Sequence, residues 1–118
     1  MILYVTKQTF ERYKLKMPED MRFPMNEIVK ATIAKESGNR LLEWGGKLFY
    51  FDRRKCIQFV NFASKLTLFL FDIKSGELPM VGEYIAHYLL DIYSNDKKMI
   101  KLLKRWFKEH PACCFSKL

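Results

Sequence analysis

Four groups of residues in this 118-residue chain have the types and spacing that chemistry needs. Arg53-Arg54-Lys55 sets three cations in succession, directly before Cys56. Guanidinium forks suit bidentate contact with phosphate, and adjacent cations favour the nucleophilic thiolate form of a cysteine. Glu83, His87 and Asp91 recur every four residues, which on a helix puts a His–carboxylate pair on one face, for metal binding or proton transfer. Lys97, Lys98, Lys101, Lys104, Arg105 and Lys108 fall on one side of a second helical pattern and suit phosphate or another acidic partner. Cys113-Cys114 is the last group.

Each group also has a plainer reading. Charges at a hairpin tip stay solvated and guard a sheet against edge-to-edge association. Glu83 and Asp91 would stand ~12 Å apart along a helix axis, too far to share one ion, so the stripe reads as the wet side of an otherwise covered helix. A nucleophilic Cys56 needs a histidine base, and the chain has only His87 and His110; a strand cysteine is more often a small core residue. The three cysteines make neither a C-x-x-C nor a zinc spacing, so no metal and no cofactor are expected. Trp44, Trp106 and ten phenylalanines raise base stacking, although aromatics at strand and helix spacing ordinarily build a core. The sequence has no phosphate-binding glycine loop, Ser-His-Asp set, zinc-protease helix or RNA-recognition strand motif.

The elements that must position these residues follow from the periodicity. Ile2–Val5 reads as a strand, and Thr6 as the N-cap of a short helix over Lys7–Lys14 with Phe10 and Tyr13 inward. Pro18 and Pro24 confine 17–24 to a loop. Asn26 is the expected N-cap of a helix over Glu27–Glu36 that ends at Ser37-Gly38-Asn39. Lys47–Asp52, Lys55–Asn61 and Leu66–Asp72 alternate as three strands, the first pair joined by a type I turn around the arginines. Leu66–Phe71 is apolar on both faces, as a strand covered on both sides or dimerised on one would be. Beyond Ser75-Gly76 the period becomes 3.6: a mostly buried helix spans Leu78–Tyr93, an amphipathic one Lys97–Glu109. Pro111 stops it, and Ala112–Leu118 reads as a last strand with Cys113 and Phe115 opposite Cys114.

These elements predict a single α+β domain: an antiparallel meander over 47–72, extended by the terminal strands, with two C-terminal helices on one face. A chain of this length is one domain by the usual prior and buries roughly two-thirds of its unfolded surface. Its 49% apolar content supports a packed core. The net charge of +8 favours acidic partners and also keeps a small protein soluble. No apolar run approaches the ~20 residues of a membrane span, and the start lacks the pattern of a secretory signal. A cytoplasmic protein with no membrane partner is expected.

Trp44, the hairpin Leu48–Val60 with Arg53-Arg54-Lys55-Cys56, and Asn61 resemble a family of small bacterial proteins known only as a domain of unknown function. The opening strand followed by Thr6-Lys7 and a short helix is similar too. The resemblance is close over residues 1–75 and looser over the helical half. Gly45-Gly46 departs from it, a more polar residue being expected after the tryptophan. The family has no established activity, so the resemblance implies a fold and a bacterial origin only.

The leading expectation is a small non-enzymatic binding protein that meets an acidic protein or nucleic acid through Arg53, Arg54 and Lys55 with Lys97, Lys101, Lys104, Arg105 and Lys108. The alternative is a small enzyme using His87 or Cys56. Apolar sheet surface in excess of the available helices also suggests a homodimer.

Overall fold

Thr6 starts the first helix as its hydroxyl allows, Oγ1 accepting from the Thr9 N–H at 3.2 Å. The computed structural model describes residues 1–118, apart from the side chains of Ser75 and Pro79. Its elements are β1 (Ile2–Val5), α1 (Lys7–Arg12), α2 (Met25–Glu36), β2 (Glu43–Phe51), β3 (Arg54–Asn61), β4 (Thr67–Leu70), α3 (Val81–Ile92), α4 (Lys97–Glu109) and β5 (Cys114–Lys117). Short 3₁₀ turns lie at Pro18–Asp20, Arg40–Leu42 and Ser75–Met80. Phe10 and Tyr13 are buried, and Asp96 caps α4 by accepting from the Met99 N–H at 3.0 Å. Asn26 does not cap α2: the N–H groups of Glu27 and Ile28 both reach the Pro24 carbonyl at 3.1 Å, so the helix has already begun one residue before the asparagine.

The fold is α+β with a five-stranded sheet in the order β4-β3-β2-β1-β5. The sheet is mixed, not purely antiparallel. β2, β3 and β4 pair antiparallel, whereas β1 lies parallel to both β2 and β5. Parallel neighbours need a long crossover, and the two helical segments, α1–α2 and α3–α4, supply one each. β2 begins at Glu43 rather than at Lys47, because Glu43–Gly46 pairs with β1. The glycines there are close-approach positions: an added Cβ would come within 2.9 Å of Phe62 at Gly45 and 2.7 Å of Phe59 at Gly46. Phenylalanine rings thus cross β2 on both faces at these two glycines.

Alternation divides the sheet. One face carries Leu3, Trp44, Ile57, Phe59, Leu68 and Leu70 into the main core with Val81, Ile85 and Leu89 of α3, and Leu103, Trp106 and Phe107 of α4 pack at its edge. α3 is less buried than its composition suggests, with only those three residues fully covered. No described residue of α4 is fully buried. On the second face Ile2 and Cys114 meet Val29 of α2, flanked by Ile33 and Tyr4. The opposite placement of Cys113 and Phe115 against Cys114 follows the strand alternation.

The β2–β3 turn differs in kind from a type I turn. Its two loop residues, Asp52 and Arg53, have φ of 50° and 63°. A two-residue hairpin loop twists correctly only with both residues left-handed. Asp tolerates that region; Arg does so at a cost of about 1 kcal/mol. Arg53→Gly is therefore expected to raise stability by about 1 kcal/mol in urea unfolding. An unchanged or lower midpoint would show that the turn is not strained.

Candidate nucleic-acid interface

Alternation along the hairpin places Lys47, Phe49 and Phe51 of β2 on the second face of the sheet, with Arg54, Cys56 and Gln58 of β3 beside them. Phe69 joins from β4, and Phe71 from the residue just beyond it. The four phenylalanines form one cluster: Phe49 meets Phe69 and Phe71 edge-on at 6.1 and 6.2 Å, Phe51 meets Phe71 at 5.8 Å, and Phe69 lies nearly parallel to Phe71 at 6.4 Å. α2 covers only the β1–β5 side of this face. Phe51, Phe69 and Phe71 consequently remain 63, 44 and 58% exposed. β4 is an edge strand that buries Leu68 and Leu70 on one side and presents rings on the other.

The cations of the hairpin divide between the faces. Arg54 points to the phenylalanine side and pairs with Asp72 at 3.2 Å, both partners being exposed. Arg53 occupies the tip, and Lys47 stands exposed in line with Phe49 and Phe51. Lys55 turns to the other face, its ammonium 5.5 Å over the Tyr13 ring. Burial pushes the Tyr13 hydroxyl up to about 12, and the hydroxyl donates to the Ile73 carbonyl at 3.0 Å. Lys97, Lys101, Lys104, Arg105 and Lys108 belong to a different region. α4 lies over the Trp44–Asn61 end of the main core, and seven strand residues, ~23 Å, separate Trp44 from Phe51. The two basic clusters of the sequence are not brought onto one surface.

The candidate catalytic groups are also apart. Cys56 is 1% exposed, and its thiol donates to the Arg54 carbonyl at 3.6 Å. Such burial denies it the solvent access a nucleophile needs. His87 stands with Glu83 and Asp91 on the exposed stripe of α3. Burial pushes the Cys113 thiol up to about 12 and that of Cys114 up to about 11, so both are protonated at neutral pH. All three cysteines are free, and among the described residues no group of His, Cys, Asp and Glu is arranged to hold a metal ion.

Two features escaped the sequence reading. The phenylalanine cluster was signalled by the alternation Phe49-x-Phe51 and Phe69-x-Phe71 and by the two-sided apolarity of β4. The second is a buried cluster around Glu36, whose Oε2 accepts from the Met1 α-amino group at 2.8 Å while its Oε1 lies 2.9 Å from His110 Nδ1. No local pattern announces partners 35 and 74 residues away.

Among the described residues no helix is long and apolar enough to cross a membrane. No curated protein and no solved structure matches the chain. A family model described as a domain of unknown function, DUF6933, matches residues 2–118, so the chain belongs to that family across nearly its whole length.

Proposed function

We propose that this protein is a non-enzymatic module that binds single-stranded nucleic acid across the open face of β2–β3–β4. The observation that carries the reading is the cluster of phenylalanine rings left bare beside Lys47, Arg53 and Arg54. Every base has a π-face, so exposed rings on a rigid sheet accept successive bases, while neighbouring cations track the phosphates. Gln58, between Lys47 and the rings, adds an amide able to meet base edges. A net charge of +8 draws polyanions to the whole molecule. Arg54 is available because its pair with Asp72 is exposed, and such pairs contribute little.

A second copy is the other natural cover for an apolar sheet face. Charge argues against it: face-to-face packing would bring the rim of Lys47, Arg53 and Arg54 against its own like charges. Anisotropy titrations with labelled oligo-dT and oligo-U, against a duplex of equal length, separate the readings. The single strands are expected to bind, the duplex to bind more weakly, and affinity to fall with salt at a slope of about −0.7 per phosphate neutralised. Arg53→Ala and Arg54→Ala should each reduce that slope, whereas Lys101→Ala and Lys104→Ala leave it unchanged. Absence of binding at low salt, together with a light-scattering mass twice the 14.1 kDa monomer, would assign the face to a dimer instead.

A further inference from the structure

An apolar cavity of about 540 Å³ opens between α4 and the end of the main core. Trp44, Leu41 and Leu66 form its floor, and Leu102, Leu103 and Trp106 of α4 form its roof. The space is open to solvent on one side, and its volume lies within the range of about 300–1,000 Å³ typical of small-molecule sites. The space exists because α4 stands off the core: none of its described residues is fully buried, and Leu102 in the roof is 57% exposed. Polar groups in the wall are few. Both polar atoms of the Asn61 side chain are engaged, Nδ2 donating to the Leu41 carbonyl at 3.0 Å and Oδ1 accepting from the Ala63 and Ser64 N–H groups and the Ser64 hydroxyl. The buried indole N–H of Trp44 has no acceptor among the described residues.

Charge selects the occupant. Arg105 and Glu109 of α4 both line the cavity, the Arg105 Nε lying 3.5 Å from the exposed Glu109 carboxylate. An exposed i,i+4 pair of this kind is readily displaced, and a carboxylate offers the guanidinium a bidentate partner. Lys101, Lys104 and Lys108 flank Arg105 on α4 and add to the positive potential. The geometry points to a binding site for a single-chain anionic amphiphile, a long-chain carboxylate whose alkyl chain fills the cavity while its head group meets Arg105. This site is separate from the phenylalanine face and does not depend on the function proposed for it.

The two tryptophans of the chain, Trp44 and Trp106, both line the cavity, so intrinsic fluorescence reports its filling directly. Titration of the full chain with sodium dodecanoate, below its micelle-forming concentration, is expected to give a saturable change at one molecule per chain. Arg105→Glu, at an exposed position that leaves the fold intact by circular dichroism, should weaken dodecanoate about tenfold or more. Dodecanol should bind less tightly than dodecanoate and be insensitive to that substitution. No saturable change below the micelle-forming concentration, or equal binding of dodecanoate by the Arg105→Glu variant, would overturn the assignment.

Discussion

Phe71→Ala is expected to weaken binding of a single-stranded oligonucleotide about 5- to 150-fold, the range that loss of one stacked base implies. Phe71 is the largest lever because its ring contacts Phe49, Phe51 and Phe69 and is itself more than half exposed. Phe51→Ala and Phe69→Ala should act in the same direction. The triple variant should fall short of the product of the three, since rings in contact are not independent. Stability should change little, because cross-strand aromatic pairs on an open face contribute only about 0.2–1 kcal/mol each. The salt slope should also stay as it was, since no phosphate contact is removed. Affinity unchanged within a factor of two across the three single variants, all folded, would remove the phenylalanine face from the function.

The largest effect on stability is expected at Glu36. Its carboxylate is 4% exposed and lies between the Met1 α-amino group and His110, whose ring packs on Trp106 at 4.7 Å. One side chain therefore ties the end of α2 to the start of β1 and the end of α4. Glu36→Ala leaves a buried ammonium without its counter-ion, and breaking a buried pair in this way costs about 3–5 kcal/mol. Against the 5–15 kcal/mol typical of a domain, that is a large fraction, visible as a fall in Tm of roughly 10 °C or more. Glu11→Ala is the matched control. Its pair with Lys7, at 4.0 Å with both partners exposed, is worth little. A loss below about 1 kcal/mol at Glu36 in urea unfolding would show that the cluster is not what joins these elements.

Gly45-Gly46 shows how a local signal misleads when its cause is tertiary. From the alternation alone, the strand is expected to begin at Lys47, after the two glycines. In the fold they lie inside β2, because Phe62 on one face and Phe59 on the other leave no room for a Cβ. Arg53 is a similar case. The absence of glycine and asparagine pointed to a type I turn, but the twist of the paired strands imposes two left-handed residues all the same.

What the sequence determined by itself rests on interactions between residues close along the chain. The Thr6 cap, the Asp96 cap, the lysine stripe of α4 and the alternation of β3 and β5 all depend on neighbours within a few positions, and the α+β class follows from the change of period after Gly76. Tertiary structure alone decided the rest. The parallel pairing of β1 with β2 and β5 depends on where two crossovers return the chain. The bareness of the phenylalanine face depends on how far α2 reaches, since Phe69 has the same side chain whether a helix covers it or not. Likewise, Glu36 looks like any acidic residue near a helix end until residues from both ends of the chain close around it. Periodicity reports which side of an element is apolar; what covers that side is set by packing between distant elements.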